Sequence, residues 1–219
     1  MTEQKHHWET IHATKGDAVS WYQPVSTESM RLIRACGLAP GAAVLDVGAG
    51  ASVLVDELLA AGYRLTLLEI AEAAFARVRE RLGDRAQQVG FIVGDITATD
   101  LPEAAYDLWH DRAVFHFLTE PDQRKAYVKA LRRALKPGGF VVLAAFAPDG
   151  PEKCSGLPVC RYDAQGFAEQ LGEGFELLES TRELHPTPFG ATQAFQCARF
   201  RREAAEQRGR SSSCLTTDL

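Results

Sequence analysis

Val44-Leu45-Asp46-Val47-Gly48-Ala49-Gly50-Ala51-Ser52 runs from an apolar strand through an acid into two glycines that open a helix. Gly48 and Gly50 lack Cβ atoms, so the turn can take dihedrals closed to other residues and bring its N–H groups close to a nucleoside-type ligand. A dinucleotide fingerprint, G-x-G-x-x-G/A, needs a small sixth residue, where this chain has Val53. Asp46, just before the first glycine, would also repel a pyrophosphate arriving at the helix N-terminus. Both departures disfavour a dehydrogenase and favour a cationic ligand without phosphates.

Working outward, three further strands end in acids. Arg64-Leu65-Thr66-Leu67-Leu68-Glu69 places Glu69 19 residues beyond Gly50, near the spacing of about 20 at which a carboxylate takes ribose hydroxyls. Phe91-Ile92-Val93-Gly94-Asp95-Ile96 and Tyr106-Asp107-Leu108-Trp109-His110-Asp111 follow the same form. The four strands line up Asp46, Glu69, Asp95 and Asp111 along the carboxyl edge of a parallel sheet, where open α/β folds bind ligands.

These motifs resemble the class I S-adenosylmethionine-dependent methyltransferases, over residues 8 to 202. The resemblance implies that S-adenosylmethionine is the cofactor and that Asp46, Gly48 and Gly50 form its loop. Glu69 would take the ribose hydroxyls, Asp95 the adenine amino group with Ile96 against the ring, and Asp111 the methionine end. Many relatives carry a third glycine where this chain has Ser52, a residue able to cap the next helix. Lys136-Pro137-Gly138-Gly139 before a hydrophobic strand also recurs in the family.

Three segments are expected: an N-terminal helical lid (1–40), a Rossmann-like methyltransferase domain (41–202) and a disordered tail (203–219). The lid carries Trp8 and, further on, Trp21 and Tyr22; this last pair would close over the cofactor as the lid does in relatives, or form an ordinary hydrophobic clasp. Apolar stripes predict helices from Val53 to Leu59, stopped by Gly62, and from Phe75 to Leu82, stopped by Gly83. Thr119 with Asp122, around Pro121, predicts a capping-box start for the helix carrying Tyr127, Val128, Leu131 and Leu135. Lys136–Gly139 is read as its end, feeding the buried strand 140–146. Asp163 is expected to cap a short helix to Leu171, and strands 175–182 and 192–201 to form a hairpin at the sheet edge. The family implies a doubly wound, mostly parallel seven-stranded sheet with one antiparallel member.

The formal net charge of −5 argues against a dedicated nucleic-acid binder. Enzymes of this superfamily that methylate base amines typically place Asp/Asn-Pro-Pro-aromatic after the fourth strand, where this chain reads Asp111-Arg112-Ala113-Val114. No apolar run of 18 residues or charged-then-apolar N-terminus occurs, so no membrane partner is expected, and a cytoplasmic address follows. The 5 cysteines match no zinc spacing and are read as free thiols. Cys154 and Cys160 fall in the loop after the fifth strand, where two thiolates could hold a thiophilic metalloid. Arg112 beside Asp111 argues against a metal there, and none is expected.

Methyl transfer from a sulfonium needs alignment of the acceptor and, for a protonated acceptor, a base. His116 is the predicted base, with packing inside an aromatic segment as its alternative role; His110 is read as structural and Trp109 as core. Arg112 and Arg161 are candidates for a substrate carboxylate or for pairing with nearby acids. The expected acceptor is a small molecule. A protein lysine is the alternative, because the Trp8 and Trp21-Tyr22 segment and Trp109-His110-Asp111-Arg112 resemble a branch related to lysine methyltransferases. A non-catalytic cofactor-binding module is the remaining reading, and the oligomeric state is not legible.

Overall fold

The computed structural model describes residues 3–16 and 18–204. The expected tail therefore lies, from residue 205 onward, outside the described residues, as does Cys214. In chain order the elements are α1 (Glu3–Lys15), α2 (Thr27–Arg34), β1 (Ala43–Val47), α3 (Leu54–Ala60), β2 (Arg64–Glu69), α4 (Glu72–Leu82), β3 (Val89–Val93) and β4 (Tyr106–Arg112). There follow α5 (Pro121–Ala134), β5 (Leu135–Phe146), a two-residue ribbon of β6 (Lys153–Cys154) and β7 (Leu157–Pro158), α6 (Ala164–Leu171), β8 (Phe175–Pro186) and β9 (Thr192–Arg202).

Seven strands form one sheet in the order β3-β2-β1-β4-β5-β9-β8. β9 runs antiparallel to both its neighbours, and the other pairs are parallel. The expected doubly wound sheet with one antiparallel member is thus present. Strand order reverses between β1 and β4, which opens a crevice at their carboxyl ends. All five residues of β1 are buried, as a central parallel strand covered on both faces requires. One face packs Val44, Leu54, Leu58, Phe75 and Val78; the other packs Leu45, Trp109, Tyr127, Leu131 and Phe167.

Local chemistry accounts for most boundaries. α4 buries Phe75, Val78 and Leu82 and stops at Gly83 with φ 56°. Asp163 caps α6, its side chain accepting from Gly166 N at 2.7 Å. Ser52 Oγ accepts from Leu54 N at 3.1 Å, so the residue in the third-glycine position ties the start of α3.

Two boundaries differ from expectation. The capping box of α5 is Glu120 with Gln123, one residue later than Thr119 with Asp122. Pro121 fills the first helical position, where its missing N–H costs nothing, and this pushes Glu120 into extended backbone (φ −89°, ψ 138°) as the cap. Lys136–Gly139 is not a loop between helix and strand, because β5 already begins at Leu135. Its register against β4 jumps from Tyr106↔Leu135 to Leu108↔Phe140, so these residues form a bulge, pinned by Lys136 Nζ to Asp107 Oδ1 at 2.8 Å. Among the described residues, no helix is long and apolar enough to cross a membrane.

Candidate active site

A cleft of about 1310 Å³, its open mouth included, lies at the carboxyl ends of β1, β2 and β4. The glycine loop forms its floor, and α1 with the segment that follows it supplies Trp8, His12, Trp21, Tyr22 and Gln23 to its wall. Gly48 (φ +64°) and Gly50 (φ +53°) both sit in the left-handed region. Gly48 N and Ala49 N donate to Leu68 O at 2.7 and 3.3 Å, which ties the loop to β2. A Cβ at Gly48 would lie 1.9 Å from Val114 Cγ2, so the loop passes where only glycine fits.

Three of the four predicted acids line the cleft. Asp46 Oδ1 is 2.7 Å from His110 Nδ1, and His110 Nε2 is 2.9 Å from Ser29 Oγ. With Nδ1–H donated to Asp46, Nε2 accepts from the serine hydroxyl, and the chain holds the carboxylate in one orientation. Asp46 Oδ2 is buried and has no hydrogen-bond partner among the described residues. An unpaired buried carboxylate oxygen is costly, and a cationic N–H donor relieves the cost. Glu69 accepts from Gly50 N at 3.0 Å, Ile70 N at 2.8 Å and Ala71 N at 3.1 Å. Burial pushes its carboxyl up to about 7, against the pull of those three donors. Asp95 stands in the turn beyond β3, its Oδ1 accepting from Thr97 N and Oγ1 at 2.8 and 2.7 Å, with Ile96 buried beside it. The acceptor set suits a phosphate-free nucleoside bearing a positive charge: a carboxylate oxygen at Asp46 unpaired among the described residues, carboxyl groups at Glu69 and Asp95, and an apolar contact at Ile96.

Asp111 and His116, both predicted for the site, lie elsewhere. Asp111 is fully buried on the other face of β4, accepting from Tyr127 Oη at 2.7 Å, Val114 N at 2.9 Å and Phe115 N at 3.1 Å. Burial raises its carboxyl to about 6, opposed by Tyr127, and it braces α5 against the loop after β4 rather than facing the cleft. His116 is fully buried against Phe117 and Phe146, and both its ring nitrogens lack a hydrogen-bond partner among the described residues. Burial, with Arg112 adding to it, lowers its pKa to about 3, and the ring does not line the cleft. The geometry therefore gives it the packing role.

Arg112, Trp21 and Tyr22 do line the cleft, whereas Arg161 is an exposed partner of Glu152 and Gly150. The cysteine pair is split: Cys154 lines the cleft, with its thiol pushed up to about 11 by burial, while Cys160 contacts Leu118 and Arg124 outside it. Trp109 is core, donating to Tyr127 Oη at 2.7 Å.

Ser29, His12 and Phe117 line the cleft without being marked by any motif in the sequence, and His110, expected to be structural, reaches Asp46 there. His12 follows Trp8 by one helical turn, a spacing that puts both on one face, and that was the available signal. Trp8 meets Trp21 and Phe117 edge-on at 5.7 and 5.0 Å, giving the cleft an aromatic wall. Burial lowers His12 to about 4, with Arg77 adding to the fall and Glu9 opposing it, so the ring is neutral at pH 7.

A family model described as a methyltransferase domain matches residues 44–139. The chain is 26% identical over 166 residues to EEF1A lysine methyltransferase 2 of Danio rerio, covering 73% of this chain and 64% of that protein. It is 30% identical over 102 residues to the ubiquinone biosynthesis O-methyltransferase of Idiomarina loihiensis, covering 46% of this chain and 41% of that protein. Its fold is similar to that of the N-methyltransferase NodS of Bradyrhizobium japonicum, solved in complex with S-adenosyl-L-homocysteine. That match has a TM-score of 0.68 and 18% identity, and covers 90% of this chain and 98% of that one.

Proposed function

We propose that the chain is a class I S-adenosylmethionine-dependent methyltransferase, a reading supported by the methyltransferase-domain match over residues 44–139, and that it binds S-adenosylmethionine in this cleft and methylates a small-molecule acceptor. The observation that carries the reading is Asp46 Oδ2, an unpaired buried carboxylate oxygen beside a loop that only glycine can form. The cofactor would supply an electrophilic methyl group on a sulfonium whose departure leaves a neutral thioether.

The chain's own residues do the rest. Asp46, oriented by His110 and Ser29, would accept from the cofactor's ammonium group. Glu69 and Asp95 would hold the nucleoside hydroxyls and amine, with Ile96 against the base. Trp8, Trp21 and Phe117 would exclude water and position the acceptor, and alignment of this kind supplies roughly 7–11 kcal/mol of barrier lowering. An acceptor protonated at pH 7 would find His12 as a neutral imidazole in the wall. The N-terminal segment, in its described residues 3–16 and 18–40, would then act as the cover over the site.

Enclosure beneath α1 and the segment after it supports a small acceptor over an extended polypeptide. The lysine reading draws on relatives named as lysine methyltransferases and on the aromatic wall, which can receive an ammonium group. The chain spans 64% of the length of the first of these relatives, so their activity is carried here as a proposal. Incubation with methyl-labelled S-adenosylmethionine and a cell extract split into protein and small-molecule fractions separates the readings. Label among the small molecules is the expected result. Label on a protein band would replace it with the lysine reading, and label in neither, with the cofactor bound, would favour a binding module.

A further inference from the structure

Arg112 ends β4 two residues beyond His110, on the face that carries Asp46, and its side chain is only 11% exposed. The three guanidinium nitrogens are unequally satisfied. Nη1 donates to Trp21 O at 3.3 Å, and Cζ lies over the Phe195 ring, 4.3 Å from its centroid. Nε and Nη2 are both buried, and neither makes a hydrogen bond among the described residues. These two nitrogens carry the parallel N–H bonds of the side-on fork, which matches the two oxygens of a carboxylate. Glu183 forms an ion pair with the guanidinium, its Oε2 lying 3.5 Å from Nη2, while its Oε1 accepts from Gln23 Nε2. The counter-ion therefore meets the fork on its Nη2 side alone and leaves Nε–H without a carboxylate partner.

We propose that the Nε–H/Nη2–H fork of Arg112 receives a carboxylate on the acceptor, so that the substrates are small organic acids whose apolar or planar body lies against Trp21, Phe117 and Val114. The inference rests on the methyl-transfer reading and narrows its acceptor class. A buried guanidinium with two donors that make no hydrogen bond among the described residues is a costly arrangement, and a bidentate carboxylate satisfies both at once. Cys154 lines the cleft beside this cation and keeps its proton, leaving the fork as the group suited to an anion.

The test uses the full-length protein and a matched probe pair, phenylacetate and phenylacetamide, at pH 7.5, read by tryptophan fluorescence because Trp8 and Trp21 line the cleft. S-adenosylhomocysteine is titrated first. On the loaded protein, phenylacetate is expected to bind about tenfold or more tightly than the amide, the scale of one charge-assisted fork. Arg112→Lys, which keeps the charge and loses the fork, should remove most of that preference, and Arg112→Gln all of it. Circular dichroism confirms that each variant is folded.

Equal binding of the two probes by the wild type overturns the proposal whatever the variants do, as does a preference that survives both substitutions. The cofactor's own carboxylate is the rival ligand. If Arg112→Lys weakens S-adenosylhomocysteine but spares both 5′-methylthioadenosine, which lacks the amino-acid end, and phenylacetate, the acceptor assignment is overturned. Failure of the wild type to bind S-adenosylhomocysteine would instead overturn the methyl-transfer reading, and the probe pair on the unloaded protein would still read the fork.

Discussion

Gly48→Ala separates backbone strain from steric conflict in the loop that defines the site. Gly48 and Gly37 have nearly the same φ, +64° and +65°, but a Cβ at Gly37 meets nothing within 4 Å, whereas one at Gly48 meets Val114 Cγ2 at 1.9 Å and Cβ at 3.3 Å. The left-handed backbone costs an alanine about 1–2 kcal/mol at either position. The overlap with Val114 adds about 1–3 kcal/mol at Gly48 alone, as side chains or backbone shift to make room. Gly37→Ala should therefore cost about 1–2 kcal/mol and Gly48→Ala about 2–5 kcal/mol, a large share of a total of about 5–15 kcal/mol.

Urea unfolding of both variants, of Val114→Ala and of the Gly48→Ala/Val114→Ala double variant reads these terms. The double-mutant cycle should show a favourable coupling of about 1–3 kcal/mol, because truncating Val114 removes the overlap while the strain remains. Titration with S-adenosylhomocysteine should show a loss of affinity in Gly48→Ala and none in Gly37→Ala. Equal destabilisation at the two glycines, or a coupling near zero, would refute the claim that packing against Val114 dictates the glycine.

Asp46→Asn keeps the shape of the side chain and removes its charge, and should weaken S-adenosylmethionine about tenfold or more by calorimetry, the loss of one hydrogen bond to a charged group. Glu69, with a folded pKa of about 7 against about 4.3 unfolded, binds its proton more tightly in the fold; its contribution to stability is present below about pH 4.3, falls towards pH 7 and is level above. Affinity for S-adenosylhomocysteine should accordingly rise between pH 6 and 8 with a midpoint near 7, and Glu69→Gln should flatten that profile. His116, held neutral down to about 3 against its ordinary 6.5, takes up a proton on unfolding between those values, so stability from this group rises with pH across that window. His116→Leu should flatten that rise and stabilise the protein by about 1–3 kcal/mol at pH 7 by removing two unpaired buried nitrogens, with methyl transfer retained in the labelling assay.

What can be read directly is local. Asp46, Gly48, Gly50, Glu69, Asp95 and Ile96 each lie within a few residues of a strand end, so strand pattern plus a spacing places them on the sheet edge before any contact is known. The start of α5 falls one residue beyond the expected one because Thr119 and Glu120 can each cap a helix, and Pro121 decides between them only once its own position is fixed. Ser29 and His12 are not legible, since their approach to β1 depends on how α2 and α1 pack across the sheet. The chemistry of His116 suggests a base, whereas the cost of burying an imidazole among Phe117 and Phe146 depends on a fold that places Phe146 at the end of β5.

The parity of one strand decides the remaining assignments. β4 pairs with β1 so that Asp46 faces His110 and Val47 faces Asp111. Successive side chains of a strand point to opposite faces, so His110 and Arg112 join Asp46 on the cleft side while Asp111 must turn towards α5. Nothing in Tyr106-Asp107-Leu108-Trp109-His110-Asp111-Arg112 announces that parity, because a central parallel strand is covered on both faces and carries no clean alternation. A shift of one residue would exchange the whole set and make Asp111 the ligand-facing acid. With the observed parity, Asp111 instead holds Val114 N and Tyr127 Oη and so fixes the loop whose Val114 side chain presses on Gly48. Both faces of β4 thus serve the same glycine loop, one by orienting Asp46 through His110, the other by setting the wall against which the loop is folded.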